Sequence, residues 1–293
     1  MLNINYKSFF QSQEIPIDES KLYSSLSNYD DINITENESE TIEIIINNSN
    51  ISNINFSKIL IANWNLQVFG DKKANNSRIM NNYSLILRDY DIIFIQEIRD
   101  KDESSFNKLC SLLKNYSCKI SSRAGRSVSK EQYGVIYKKP ITIFNFYDYN
   151  PDSLDRWERP PIRVTFNISG FILTVFNIHT KPSDVKNELT YLEDLIIDID
   201  YSELDDHILI SGDLNADCDY YNNNDESHFD DMIWLIDDNQ DTTLNENTNC
   251  AYDRIIINSE LGKHYVKDGV YSYKITKDFS DHYPVWAEFN LFS

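Results

Sequence analysis

From Lys58 onward the apolar positions fall into short, regular runs. Ile59–Trp64 and Asp91–Gln96 (DIIFIQ) are nearly unbroken apolar stretches of strand length, the pattern of strands buried on both faces. Tyr133–Tyr137, Ile141–Tyr149, His207–Ser211, Tyr252–Ile257 and Val285–Leu291 read as further strands. Ile162–Ile168 and Phe171–Ile178 flank Ser169-Gly170, a two-residue turn signal, and predict a hairpin. Helical spacing takes over elsewhere. Ile79, Tyr83, Ile86, Leu87 and Tyr90 form one stripe, and Phe106, Leu109, Cys110 and Leu113 a second. Val185, Leu189, Leu192, Leu195, Ile196 and Ile199 form a third, starting near Ser183 or Asp184, and Phe229, Met232, Ile233 and Ile236 a fourth. Strands occur both as hairpins and separated by helices, and one sheet of roughly ten twisted strands would be strained. The expectation is therefore an α/β (α+β) sandwich of two mixed sheets with helices outside.

Residues 1–57 break this pattern. They are rich in Asn, Ser, Ile and acid, with Lys7 and Lys21 as their only bases. They read as a poorly ordered extension, or as an added edge strand through Ile44–Ile46, before a catalytic domain over 58–293. Met1–Pro16 lacks a basic segment followed by an apolar core, so it does not read as a signal peptide, which points to an intracellular compartment. No apolar run reaches the length of a membrane span.

The formal charge of −20 changes the picture. A protein that coats nucleic acid by neutralising phosphates is basic. An acidic chain either leaves nucleic acid alone or brings bound divalent cations to it, and excess carboxylate is what hard cations ligate. The four cysteines, Cys110, Cys118, Cys218 and Cys250, form no CxxC pair, which argues against a zinc site.

Polar residues recur where the apolar strands end, which is where a scaffold presents a site. Asn63-Trp64-Asn65, Gln96-Glu97, Ile178-His179, Gly212-Asp213-Leu214-Asn215, Tyr252-Asp253-Arg254 and Ser280-Asp281-His282 all stand at such positions. Each alone has a bland reading: Glu97 in a structural ion pair, Asp213 and Asn215 in a turn, His282 as a hydrogen-bonded core histidine. A carboxylate at a buried strand end is costly unless paired or metal-bound, and Asp213 and Asn215 share one face of an extended segment.

Together, ILIANWNLQVFG, DIIFIQEIRD, the SKEQY segment, FNIHTKPSDV, LISGDLNADCDY, TNCAYDRIII and SDHYPV resemble, in order, the motifs of the deoxyribonuclease I family, over about residues 58–290. QE, H-x-x-P, GDxN and SDH mark the wider endonuclease/exonuclease/phosphatase superfamily, and IQEIRD, NADC and TNCAYDR the deoxyribonuclease branch. The resemblance implies a four-layer sandwich and an endonuclease that hydrolyses DNA to 5′-phosphate and 3′-hydroxyl ends. It implies Mg²⁺ or Mn²⁺ at Asn65 and Glu97, with Asp213, Asn215 and Asp281 completing metal and phosphate binding. His179 and His282 resemble the catalytic histidines, Glu131 and Asp253 their carboxylate partners, and Arg99 and Arg159 arginines that contact phosphate. The chemistry agrees, because two histidines that titrate near neutrality can divide the base and acid roles. We assign His282 as base and His179 as acid; the exchanged assignment uses the same residues.

The resemblance also places a disulfide at Cys218–Cys250, which would contribute about 3 kcal/mol by closing its loop. Cys110 and Cys118 match no family pair and stand open between a bridge and free thiols; any bridge needs an oxidising compartment. Asp241, Thr243 and Thr248 resemble a structural Ca²⁺ loop, here one residue longer, with Asp217 a weaker candidate. One departure stands out: Ser129 replaces a tyrosine that stacks in the DNA minor groove, leaving Arg126 and Lys130 to compensate through phosphate contacts. His207, His228 and His264 read as surface or structural. A monomer is expected, and actin binding is not legible. The competing readings are another superfamily enzyme (a phosphoinositide phosphatase, a sphingomyelinase, an abasic-site endonuclease or a toxin subunit with this fold) and a non-catalytic relative, which would have lost at least one of His179, His282, Glu97 and Asp253.

Overall fold

A computed structural model describes residues 56–199, 206–222 and 227–292 in full, and residues 32–37 and 41–46 as backbone strands. The chain divides into two units, Met1–Ile54 and Asn55–Ser293. In the first, β1 (Ile32–Asn37) pairs antiparallel with β2 (Thr41–Ile46), so Ile44–Ile46 lies in a strand whose partner is β1. The expected poor order of residues 1–57 otherwise falls outside the described residues.

The second unit runs β3 (Lys58–Phe69), α1 (Asp71–Ala74), α2 (Ser77–Leu87), β4 (Ile92–Ile98), α3 (Ser104–Ser111), β5 (Tyr116–Ile120), β6 (Gln132–Lys138), β7 (Thr142–Asp148), β8 (Ile162–Ile168), β9 (Phe171–Asn177), α4 (Val185–Asp198), β10 (Ile208–Asp213), β11 (Ile233–Trp234), β12 (Asp253–Ile257), α5 (Ser259–Gly262), β13 (Tyr265–Val270) and β14 (Val285–Asn290). Two six-stranded sheets result, ordered β13-β14-β3-β4-β6-β5 and β11-β12-β10-β9-β8-β7. Alternation along each strand builds the layers. Ile59, Ile61, Ile92 and Phe94 meet Val164, Phe166, Leu173, Val175 and Leu209 between the sheets. Their neighbours Ala62, Trp64, Ile93 and Ile95 turn outward against Ile79, Tyr83, Leu87, Phe106 and Leu109. On the far face Phe176, Ile178, Ile210 and Ile256 pack on Val185, Leu189 and Leu192. The order is helix, sheet, sheet, helix, the four-layer sandwich expected.

Local signals explain the boundaries. Asn76 caps α2, its Oδ1 accepting from Arg78 N at 3.1 Å and Ile79 N at 3.3 Å. Ser169 and Gly170, at φ 54° and 97°, make the turn between β8 and β9. The fourth helical stripe is a correction. Phe229 takes φ 56°, and Ile233–Trp234 form β11 on β12 instead of a helix turn. Sheet pairing won there because β12 would otherwise present an open backbone edge, while an eight-residue stripe is too short to be helical by itself. Two edge strands that no apolar run announced, β5 and β13, complete the first sheet. Cys110 is bridged to Cys118, and Cys218 to Cys250. Among the described residues no helix is long and apolar enough to cross a membrane.

Topology gathers the polar strand ends. β3 runs parallel to β4, and β9 parallel to β10, so Asn65, Glu97, His179 and Asp213 emerge at strand ends on one edge. β6, β12 and β14 run antiparallel to these neighbours, so residues at their starts reach the same edge: Glu131, Asp253 and His282.

Candidate active site

Two His–carboxylate pairs, one buried and one partly buried, face each other across Asp213. His179 Nδ1 lies 2.7 Å from Glu131 Oε1, and His282 Nδ1 lies 2.7 Å from Asp253 Oδ2. Their Nε2 atoms converge on one oxygen, Asp213 Oδ2, at 3.4 and 3.6 Å. Asn65 Nδ2 donates to that same oxygen at 3.0 Å and to Glu97 Oε1 at 3.3 Å. Residues from both sheets thus meet at one point.

Backbone irregularities aim these groups. β3 shifts register between Asn65 and Phe69, and β4 between Ile95 and Ile98 with Glu97 at φ 61°. Such bulges re-aim side chains beside sites. They bring Gln67 N to Asn65 Oδ1 at 2.8 Å and Val68 N to Glu97 Oε2 at 2.9 Å. Asp281 is held by Gln67 Nε2 at 2.8 Å. Beneath lies a buried amide network. Gln96 accepts from Asp213 N at 2.9 Å and donates to Ile178 O at 2.8 Å, and Asn177 donates to Asn63 Oδ1 at 2.9 Å. Gly212, at φ 152°, permits this approach, since a Cβ there would stand 1.8 Å from Ile178 O. Trp64 Nε1 fixes the His282 carbonyl at 2.9 Å, and Ser280 Oγ accepts from His282 N at 3.0 Å.

The two pairs differ in charge. Burial works to raise the Glu131 carboxyl, but His179, Arg159 and Arg99 overcome it and hold it at about 2. Arg159 Nε lies 2.9 Å and Arg99 Nη2 3.3 Å from Glu131. His179 is shifted up: burial and Arg159 oppose its proton, but Glu131 and Asp213 outweigh them. Burial also opposes the proton on His282, yet Asp253 and Asp213 push it to about 10. Asp253 is raised, chiefly by its own burial. Asp213 is lowered, because the two imidazoles outweigh its burial.

The residues fit a divalent cation. Glu97, Glu131, Asp213, Asp253 and Asp281 stand against the guanidinium groups of Arg99 and Arg159, leaving excess negative charge among hard oxygen donors. Asp253 Oδ1 is buried without a hydrogen-bond partner. Glu97, Glu131 and His179 form one group and Asp213, Asp253 and His282 another, the ligand atoms within each group lying within 4.8 Å of one another. Of the other expected ligands, buried Asn215 donates its Nδ2 to Thr180 O at 3.1 Å, and Asp281 Oδ1 lies 3.8 Å from His282 Nε2.

Other expected residues sit differently. Arg159 points inward, donating to His179 O at 2.9 Å and Thr180 O at 2.7 Å, so it braces the His179 pair instead of reaching outward to phosphate. Arg126 is bound by Asp155, Nε to Oδ1 at 2.9 Å, and its backbone N by Glu158 at 2.8 Å. A phosphate contact would need that pairing to open. Arg99 bridges Glu97 and Glu131 and touches the Ser129 hydroxyl. Asp241 Oδ1 accepts from Thr243 N at 3.1 Å and Cys250 N at 3.4 Å, while Thr248 N bonds Asn245 O at 3.2 Å. Asp217 accepts from Ala251 N at 2.7 Å. Neither Asp241 nor Asp217 belongs to either ligand group. His228 bridges Tyr221 and Thr190, and His207 and His264 bond backbone carbonyls.

This geometry is that of a hydrolase site built on a two-sheet scaffold. Residues 62–282 match the Endonuclease/Exonuclease/phosphatase family, and the chain belongs to it. It is 30% identical to deoxyribonuclease gamma of Homo sapiens, with 79% of this chain and 85% of that protein covered. It is 32% identical to deoxyribonuclease-1-like 1 of Rattus norvegicus, over 74% and 76%. These relatives put it in the deoxyribonuclease I branch. The fold is also shared with an endonuclease/exonuclease/phosphatase from Bacteroides vulgatus, at 17% identity and a TM-score of 0.60, covering 80% of this chain and 99% of that one.

The sequence singled out Gln96 beside Glu97 without giving it a role, and left out Gln67 and Lys73. Gln67 and Lys73 depend on the β3 bulge, which no local signal announces.

Proposed function

We propose that this protein is a divalent-metal-dependent endodeoxyribonuclease that cleaves phosphodiester bonds by general acid–base catalysis. One observation carries the mechanism: both His Nε2 atoms aim at the same point beside Asp213, each backed by a carboxylate on Nδ1. The substrate class rests on the deoxyribonuclease relatives.

A divalent ion, when bound, neutralises charge on the phosphoryl oxygens and polarises the phosphorus. Glu97, Asn65 and Asp213 would hold it, with Asp281 and Asn215 alongside. His282 takes the proton of the attacking water, with Asp253 fixing its tautomer and stabilising the imidazolium. His179, held by Glu131, gives its proton to the departing O3′. The products carry 5′-phosphate and 3′-hydroxyl ends. Asp253 and Asp213 hold the proton on His282 against its burial. A cation held at Asp213 would oppose that proton and so favour His282 as the base.

A plasmid-nicking assay with Mg²⁺, with Ca²⁺ and with EDTA tests this, with a phosphoinositide and sphingomyelin run in parallel. We expect nicking that EDTA abolishes, and loss of about 10²-fold or more in each of His179→Ala and His282→Ala. Lipid turnover without nicking would overturn the substrate, and near-full activity in either histidine variant would overturn the mechanism.

A further inference from the structure

β3 is interrupted beside the site, and one ammonium holds the interruption in place. Gln67 and Val68 stand at φ 44° and 54°. Left-handed backbone is disfavoured by any Cβ and most by a β-branched side chain. Two such residues in succession persist only where their surroundings fix them. From α1, Lys73 Nζ donates to Leu66 O at 2.7 Å, Gln67 O at 2.6 Å and Phe279 O at 2.7 Å. An ammonium has three donors, and here all are used. Their acceptors come from two segments about 200 residues apart, one carrying Asn65 and the other leading into Ser280-Asp281-His282.

Both segments feed the site. Gln67 N and Val68 N bond Asn65 Oδ1 and Glu97 Oε2. Gln67 Nε2 crosses to Asp281 Oδ2, and Ser280 Oγ donates back to Asn65 O at 2.5 Å. With Lys73 removed, the Leu66 and Gln67 carbonyls lose this donor, Phe279 O keeps only the Tyr83 hydroxyl, and the strained pair loses its anchor.

We propose that Lys73 is a positioning residue: it ties the Leu66–Val68 interruption to the Phe279–His282 segment and so sets the spacing between Asn65 and Glu97 on one side and His282 on the other. The inference rests on the reading of the site as an ion-assisted phosphodiesterase. Lys73 touches no reacting atom. Its effect passes through backbone, as outer groups set metal ligands and small misplacements cost rate.

The test compares Lys73→Met, which keeps length and removes every donor, with Lys73→Arg, whose planar fork cannot converge on three carbonyls as an ammonium does. Exposed Lys72→Met is the control. Four quantities are read: kcat and KM for plasmid nicking, Mn²⁺ binding without DNA by electron paramagnetic resonance of the free ion, hydrogen exchange over residues 65–69 and 279–282, and Tm. For Lys73→Met we expect kcat to fall about 10–100-fold with KM within about twofold, and Mn²⁺ affinity to fall about tenfold. Exchange should quicken in both segments, and Lys72→Met should match wild type throughout. Folded Lys73→Met with wild-type kcat, Mn²⁺ affinity and exchange overturns the inference. If Lys73→Met does not fold, Lys73→Arg decides: wild-type kcat and Mn²⁺ affinity in it overturn the three-donor argument, and loss of both supports it. Wild-type protein that fails to nick DNA sinks the functional reading instead, while Mn²⁺ binding and exchange still report on Lys73.

Discussion

The His179 and His282 halves of the site have the same pair geometry and opposite electrostatic support. Each imidazole sits 2.7 Å from its carboxylate and each faces Asp213. Glu131, however, lies against two guanidinium groups, whereas the charges acting on Asp253 are His282 and the like charge of Asp213. Arg254 follows Asp253 in sequence, but strand alternation sends it to the opposite face, where it bonds Ile236 O and Asp238. Equal hydrogen bonds therefore do not mean equal energetics. Glu131 is held ionised by a charge network that includes two arginines, whereas Asp253 is ionised against its burial with His282 as its cationic partner.

Removing one carboxylate at a time breaks this comparison most sharply. Glu131→Gln and Asp253→Asn should each lower kcat by about 10²–10⁴-fold, since each imidazole loses the group that orients it. Stability should separate them. Glu131→Gln leaves the largely buried Arg159 without its counter-charge, and breaking such a pair costs about 3 kcal/mol or more. Asp253→Asn removes a carboxylate that burial disfavours but also the partner that holds the His282 proton, and the imidazole can neutralise where Arg159 cannot, so its loss should be the smaller of the two. Urea unfolding at neutral pH reads both. Equal losses would show that the arginines do not distinguish the halves.

Acid unfolding sharpens the same point with a smaller effect. Glu131 is depressed from 4.5 to about 2 in the folded state. Its contribution is present above the unfolded value and is lost as pH falls from about 4.5 towards 2, on the order of 3 kcal/mol in all. Asp253 has the opposite sign, because its raised value makes ionisation unfavourable in the fold and acid relieves that cost. The stability–pH curve of Glu131→Gln should therefore be flatter than wild type below pH 4.5. Parallel acid limbs would remove the arginine network as the cause.

How much of this was legible in the sequence follows from where each signal is local. Apolar runs ending in His179, Glu97 and Asp213, or opening at Asp253, marked both the strands and the residues at their ends, because a doubly buried strand is its own signature. The sandwich followed from strand order. What stayed hidden depends on distant partners. Arg159 reads as a basic residue, but its inward direction is set by Glu131 and the His179 carbonyl. Arg126 reads as free until Asp155 is brought beside it. The Phe229–Ile236 stripe had helical spacing, yet an open strand edge claimed its backbone. Lys73 could not be found, since its acceptors lie on a bulge and on a segment near the other end of the chain.

The smallest expected effect concerns Ser129, at the position where the family resemblance expects a stacking tyrosine. On the nuclease reading, DNA contact without that ring would rest on phosphate-binding cations, and each phosphate neutralised adds about one to the slope of log K against log salt. Arg126 and Lys130 look equivalent in sequence but not in structure, because Arg126 already holds Asp155 and Lys130 is an exposed cation. Lys130→Ala should therefore reduce the salt slope by about one, and Arg126→Ala should leave it nearly unchanged. Asp155→Ala, which releases Arg126, should steepen the slope by about one. DNA binding measured with Ca²⁺ across a salt series gives all three slopes. An Arg126→Ala slope as shallow as that of Lys130→Ala would mean that DNA outcompetes Asp155 for the guanidinium, and this surface would then carry more positive charge than its resting geometry offers.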